Sequence, residues 1–406
     1  MRKPSSSKKP GNPIAEAPKL FPPRPVLPGM SARLLLSVVF LANAATVTFV
    51  AAQAPGSPFE RWDANGDGKL AREELPEPLR RNFERVDTNS DGFISKEEDE
   101  AVRKSRSGGE RPKGTVADPR SGRVPEGVKK IADLDYAGTG NPRQALDLYL
   151  PEKPAAEGPL PVVVFIHGGG WQNGDKSGGG GRVAPLVATG RFAGVSIGYR
   201  LSGEAQWPAQ IHDCKAAIRW IKAHASEHGL DPECIAVWGS SAGGHLVAML
   251  GVSDGVAELE GTIGAHNDRN ARVNCVVDFF GPADLLTMGG KHDDAASPES
   301  KLIGGAVQEN PDKAKSASPV THVTADDAPF LIVHGDQDPA VPHDQSVALE
   351  KKLEAAGVPV ILLTVEGGGH GRGFGESVDE TVAAYLARQL LGEPGAVADG
   401  AVKAGE

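Results

Sequence analysis

The sequence predicts an α/β fold, a mostly parallel sheet with helices on both faces, preceded by a small helical module. Three observations carry this. From about residue 128, short apolar runs alternate with stretches of helical periodicity. One strand, Cys234–Trp238, passes through a glycine-rich turn straight into an apolar helical stretch, His245–Leu250. Ahead of both, a 24-residue repeat covers residues 59–98.

The bulk numbers narrow the class. A chain of 406 residues with 39% hydrophobic content has room for one large domain or two ordinary ones, with a core. The net charge of −10 and the lack of a basic stripe argue against nucleic acid as a partner. Three cysteines, Cys214, Cys234 and Cys275, are too few and too dispersed for a disulfide framework or a zinc cluster, so core packing is expected.

Residues 1–30 are rich in Pro, Lys and Ser and are expected to be disordered. Arg33 leads into an apolar run from Leu34 to Ala42, and small residues follow to Ala54. That layout is a secretory signal, with a start at Met30 giving an ordinary n-region. The expectation is an exported protein, periplasmic or secreted, with a membrane anchor through residues 34–52 as the alternative. The expected divisions are 1–54 for the disordered N-terminus and signal, 55–100 for the small module, 101–127 for a linker, 128–392 for the α/β domain and 393–406 for a disordered tail.

In the repeat, Phe59-Glu-Arg-Trp-Asp63 recurs as Phe83-Glu-Arg-Val-Asp87. Each copy runs into a twelve-residue loop. Oxygen side chains fall at positions 1, 3, 5 and 12: Asp63, Asn65, Asp67 and Glu74, then Asp87, Asn89, Asp91 and Glu98. Glycine stands at position 6, Lys69 and Phe93 offer carbonyls at position 7, and Leu70 and Ile94 at position 8 can pair the loops. This is the EF-hand pattern, and its all-oxygen donors suit Ca²⁺. Pro76 and Pro78 keep the connecting helices short, which favours a structural calcium site over a sensor that opens.

In the α/β region, strands are expected at 146–150, 161–166, 193–199, 234–238, 273–280, 329–334 and 358–365. The strand at 146–150 alternates as an exposed one would. Helices are expected at 209–225, 344–356 and 378–391. Ligands of such sheets sit at the carboxyl ends of the strands.

The elbow reads Gly239-Ser240-Ser241-Ala242-Gly243, the G-x-S-x-G pattern with Ser241 at its centre. A serine hydroxyl needs a base, an acid to orient that base, and donors for an oxyanion. The order for this arrangement is Ser, acid, His. His370 follows the last expected strand in Glu366-Gly-Gly-Gly-His370 and is the candidate base. The acid should follow the strand before it, in His334-Gly-Asp336-Gln-Asp338-Pro339. Asp338 is preferred, Asp336 is placed to cap the turn, and Asp284 is a more distant candidate. The Ala242 amide and those of Gly168 and Gly169, in His167-Gly-Gly-Gly-Trp171, are the expected oxyanion donors. Trp171, Trp207 and the glycine run 178–181 are expected beside the pocket, with 283–325 as a small cap.

Residues 128–392 resemble the α/β-hydrolase superfamily through the His-Gly-Gly-Gly-Trp and Gly-Ser-Ser-Ala-Gly-Gly-His-Leu stretches. The nearest branch holds carboxylesterases related to hormone-sensitive lipase and the bacterial feruloyl/acetylxylan esterase-like proteins. Ser240 stands where lipase-like members often carry aspartate, which tilts the resemblance toward the second group. It implies ester hydrolysis through an acyl-enzyme on Ser241 with no catalytic cofactor, on a small ester or an esterified polysaccharide. An amidase or peptidase with the same triad, or a calcium-dependent binding protein with an inactive hydrolase domain, are the alternatives.

Overall fold

The computed structural model describes residues 59, 62–75, 80, 83–87, 91–100, 124–394, 397 and 400–405. The expected signal segment, the linker residues 101–123 and Asn89 lie outside them. Among the described residues, no helix is long and apolar enough to cross a membrane. The chain divides into two compact units, Met1–Pro112 and Lys113–Glu406.

In the first unit, β1 (Lys69–Leu70) pairs antiparallel with β2 (Ile94–Ser95), and Leu70 faces Ile94. This is the pairing expected at position 8 of the two loops. Leu70 and Ile94 are buried together with Phe59, Leu75 and Phe83, so the repeated phenylalanines form the small core.

The second unit is built on a nine-stranded sheet. Its strands are β3 (Val128–Asp135), β4 (Ala145–Pro151), β5 (Leu160–Ile166), β6 (Ala193–Ile197), β7 (Leu230–Ser240), β8 (Cys275–Phe279), β9 (Phe330–Gly335), β10 (Val360–Glu366) and β11 (Gly400–Lys403). They lie in the order β11-β10-β9-β8-β7-β5-β6-β4-β3. Only the β3–β4 and β4–β6 pairings are antiparallel. The central strands are apolar on both sides because both faces are covered. In β5, Val162, Val164 and Ile166 enter one core while Val163 and Phe165 enter the other. Each such side chain contributes about 1.5–3 kcal/mol by leaving water.

Helices α1 (Gly180–Ala188), α2 (Ala209–Ala223), α3 (Ala242–Val252), α4 (Pro298–Ile303), α5 (Pro311–Ser316), α6 (Asp344–Ala356) and α7 (Glu376–Leu391) cover the sheet and the cap. Ile211, Cys214 and Ile218 of α2, all of the apolar side of α3, and Leu349 and Leu353 of α6 enter the first core. Val183 and Val187 of α1 and Val378, Val382 and Leu386 of α7 enter the second. The three cysteines are free, with Cys214 and Cys275 buried in the core.

Two expectations are corrected. The strand at 146–150 is not exposed. Leu146 and Leu148 are in the core, and the alternate residues Asp147 and Tyr149 are buried as well. Charge explains this: Lys130 and Lys176 reach Asp147 at 2.7 and 2.8 Å and roof that face. Burial acts to raise the Asp147 carboxyl, but the hydrogen bonds from Lys130 and Lys176 outweigh it and hold it below the usual carboxylate range. The tail at 393–406 is not wholly disordered either. Residues 400–403 form β11, pairing parallel with the free edge of β10 from Leu363 to Glu366. Val402 packs against the second core, and the Gly405 N–H donates to the Gly373 carbonyl at 2.8 Å. An unpaired edge and an apolar side chain that can still be covered are the physical reasons.

Candidate active site

Ser241 is the one residue between β7 and α3. Its backbone stands at φ 57° and ψ −122°, a region that residues with a Cβ rarely occupy. Such a conformation costs about 1–3 kcal/mol and persists only where the surroundings dictate it. They do so here. The Ser241 N–H donates to the Phe279 carbonyl at 2.8 Å, and the Ser241 carbonyl accepts from His245 N–H at 3.0 Å. Every residue of α3 is buried. A Cβ on Gly243 would fall 2.1 Å from the Ile166 carbonyl oxygen, so the helix enters against β5 with no room for a side chain.

The loop after β5 leans on this elbow. A Cβ on Gly168 would stand 2.6 Å from the Ser240 carbonyl oxygen and 3.3 Å from Ser241 Cβ. The loop is anchored from behind. His167 stacks on Tyr199, whose hydroxyl donates to the His167 carbonyl at 3.0 Å. Burial pushes the His167 imidazole down to about 4, so it adds no charge near neutral pH. Trp171 donates its indole N–H to His245 Nδ1 at 3.2 Å, and His245 Nε2–H donates to the Ala317 carbonyl at 2.7 Å. Arg200, which follows Tyr199, is held by Asp213 through its Nε and Nη2 at 2.8 Å. Ala242 is the first residue of α3, so its N–H has no acceptor within the helix.

Asp338 and His370 come together at the ends of β9 and β10. His370 Nδ1–H donates to Asp338 Oδ2 at 2.6 Å, which leaves Nε2 with its lone pair free. The His370 ring packs on Phe280 at a centroid distance of 4.5 Å. Asp338 Oδ1 accepts from the Ala340 and Val341 amides at 2.7 and 2.9 Å. Burial acts to raise this carboxyl; hydrogen bonds from His334, His370 and the two amides outweigh it and hold it well below the carboxylate range. Asp336 does not cap its own turn but accepts from Gly367 N–H at 2.7 Å, tying the acid loop to the histidine loop. Asp284 accepts from Leu286 N–H in its own turn. Among the described residues, the Ser241 hydroxyl makes no hydrogen bond to His370; free forms often close that gap only around a ligand.

His334, near the end of β9, also takes part in the site. Its Nε2 faces two acceptors, Val341 O at 3.1 Å and Asp338 Oδ2 at 3.3 Å, so it carries the proton, and Nδ1 accepts from Ser346 Oγ at 2.7 Å. The signal that could have found it is its position four residues before Asp338 at a strand end. Asp278 is a further acid near the elbow, opposite Gly239 on β8. Burial pushes it up to about 7, and it accepts from Gly281 N–H.

A pocket of about 490 Å³ opens over Ser241 and Ala242, with Trp171, Val341 and the segment 291–299 on its walls. The expected cap therefore contributes to the pocket. Two other expected border groups do not lie on it. Trp207 packs edge-on against the His245 ring and donates to Ser316 Oγ. Residues 180–181 of the glycine run open α1, whose buried side faces the second core.

All of the expected ligands except Asn89 lie among the described residues. Asp63 accepts from Gly66 and Gly68 N–H at 2.8 and 2.9 Å, and Asp67 accepts from Lys69 N–H at 2.9 Å. Glu74 accepts from Ala64 and Ala71 N–H at 3.1 and 2.8 Å. In the second loop Asp87 accepts from Gly92 N–H, Asp91 from Phe93 N–H, and Glu98 from Ser95 N–H. The donor chemistry, all oxygen, fits a hard cation. Among the described residues no three acidic, His or Cys side chains close into a cage.

The BD-FAE family profile matches residues 146–353, about half of the chain. The chain belongs to the BD-FAE family. An EF-hand profile matches residues 80–98. Esterase LipC of Mycobacterium tuberculosis (strain ATCC 25618 / H37Rv) is 31% identical over 245 residues, 57% of each chain. The probable carboxylic ester hydrolase LipM of the same organism is 34% identical over 220 residues, 53% of this chain and 49% of its own. The chain thus spans about half the length of the curated relatives it matches. A truncated form of a carbohydrate esterase from gut microbiota superposes with a TM-score of 0.62 at 36% identity, covering 65% of this chain and 96% of that one. Esterase B from Lactobacillus rhamnosis, inhibited by a tributyrin phosphonate, gives 0.55 at 26%, covering 66% and 88%. Membership in the family places the α/β-hydrolase fold around the elbow at Ser241.

Because the Asp338 carboxyl lies below its unfolded value of about 3.9, its contribution to stability is present above that pH and lost as pH falls through the folded value. Asp338→Asn should lower unfolding free energy by about 3 kcal/mol at pH 7. Urea denaturation should show that gap flat down to about pH 5 and narrowing below pH 4. A gap that widens on acidification would contradict the assignment of Asp338 as the buried ionised partner.

Proposed function

We propose that this protein is an exported serine carboxylesterase that hydrolyses carboxylic esters through an acyl-enzyme on Ser241, with a calcium-binding EF-hand module. The observation that carries the reading is the elbow backbone at Ser241, together with an imidazole, His370, held by Asp338 at 2.6 Å. In this reading Ser241 Oγ attacks the ester carbonyl as His370 Nε2 takes its proton. The Ala242 amide, with Gly168 and Gly169, receives the oxyanion. His370 returns the proton to the leaving alcohol, and water then releases the acid by the same route. Asp338 stays ionised and keeps the His370 proton on Nδ1. The substrate class we favour is an acetyl or feruloyl ester of a polysaccharide. Its support is the family and the likeness to a carbohydrate esterase structure.

Calcium would be held by Asp63, Asn65, Asp67, the Lys69 carbonyl and Glu74, and by Asp87, Asn89, Asp91, the Phe93 carbonyl and Glu98. Support comes from the twelve-residue spacing, the oxygen donors and the β1–β2 pairing of the loops. Export rests on the run from Arg33 to Ala54.

Wild type should release p-nitrophenol from p-nitrophenyl acetate, and Ser241→Ala should lose at least about 10⁴-fold in kcat. Equal turnover by the two would sink the serine mechanism. Isothermal titration of the full chain with CaCl₂ should give heat in the wild type and little in Glu74→Gln/Glu98→Gln; a silent wild type would remove calcium. Fractionation of expressing bacteria should find the protein outside the cytoplasm, shortened near residue 52 by mass spectrometry. Uncut protein in the cytoplasm would refute export.

A further inference from the structure

The pocket over Ser241 holds a second histidine–carboxylate pair that the chemistry above does not use. His292 lies in a helical turn, Gly290–Asp293, and Glu299 in the first turn of α4. Both are buried and both line the pocket. His292 Nδ1 and Glu299 Oε1 are 3.1 Å apart. The second carboxylate oxygen, Oε2, is buried and has no hydrogen-bond partner. Among the described residues His292 Nε2 has no hydrogen-bond partner either, yet it is not sealed from solvent. The cap that carries the pair is tied to the acid loop, because Lys291 Nζ donates to the Pro339 carbonyl at 2.7 Å.

This arrangement has a chemical consequence. Glu299 is an acceptor, so it draws the imidazole proton to Nδ1. The lone pair is then on Nε2, in a pocket that Trp171, Pro282, Pro298 and Val341 line with apolar surface alongside the polar Lys291, Asp294 and Ser297. An apolar ester filling the pocket would strip water from Nε2 and leave it without a partner, which is costly. An ester carrying a hydroxyl in reach would restore the bond. Sites built to hydrogen-bond a substrate hydroxyl discriminate strongly against analogues that lack it.

We propose that the His292–Glu299 pair is a specificity-determining site that accepts a hydrogen bond from a free hydroxyl of the substrate. The pocket therefore selects hydroxylated esters, such as partly acylated sugars, over fully capped ones. This rests on the ester-hydrolase reading of Ser241 and adds the substrate group that the cap recognises. The hydroxyl has two possible sources, the sugar on the alcohol side or a phenol on the acyl side.

The test compares each ester with its capped counterpart on the full-length protein. One arm uses a methyl xyloside bearing one acetyl group, against the same acetate with its other hydroxyls methylated. The other uses methyl ferulate against methyl 3,4-dimethoxycinnamate. In one arm, wild type should favour the free hydroxyl by about 10- to 100-fold in kcat/KM; the arm that responds identifies the source. His292→Phe should bring that ratio near one, and Glu299→Gln, which keeps the side-chain volume, should lower it. A wild-type ratio near one in both arms overturns the proposal without need of any variant. So does a folded His292→Phe that keeps the ratio, or one that loses both esters alike. Wild type inert toward these esters and p-nitrophenyl acetate would instead bring down the esterase reading itself.

Discussion

The backbone of Ser241 has to turn from a strand into a helix within one residue, at positive φ, and much of the α/β unit is arranged so that it cannot relax. An isolated chain would leave that conformation for a gain of about 1–3 kcal/mol. Here the strand before it is central in the sheet and the helix after it is buried along its length. Moving either would expose several apolar side chains, each worth about as much as the strain itself. The glycine loop after β5 then closes the space beside the serine, because Gly168 rests on the Ser240 carbonyl. Local strain is thus maintained by global packing, and the hydroxyl is kept at the mouth of the pocket.

A second constraint acts at the ends of β9 and β10. Asp338 is buried among donors: two amides, His370 and His334. A buried carboxylate is costly without partners, and this one has enough of them to stay ionised. His334 holds it from the strand side and is itself held by Ser346 of α6. The Asp336 link to Gly367 keeps the two loops in register. The imidazole of His370 inherits its orientation from this set and from the Phe280 ring.

Much of the fold was legible because its signals are local. Apolar strands bounded by turns and the helical spacing at Ile211, Cys214 and Ile218 need no knowledge of the rest of the chain. The helix at 344–356 begins and ends where its pattern does. What misled was partnership. Alternation at 146–150 signals an exposed face unless two lysines from elsewhere roof it, and a polar tail reads as loose unless a sheet edge waits for it. Pocket borders failed for the same reason: Trp207 is taken up by the His245 ring and Ser316, and the glycine run leads into α1.

The order Ser241, Asp338, His370, the glycine loop at 168–170 and the paired oxygen-rich loops are determined by the sequence alone, since each depends on residue type and spacing along one stretch. The hydrogen bond that selects Asp338 over Asp336, the hold of His334 on that carboxylate and the His292–Glu299 pair in the pocket were decided by tertiary structure. Hydrogen bonds act over about 3 Å, and only folding brings to that range groups whose distance along the chain carries no information about their distance in space.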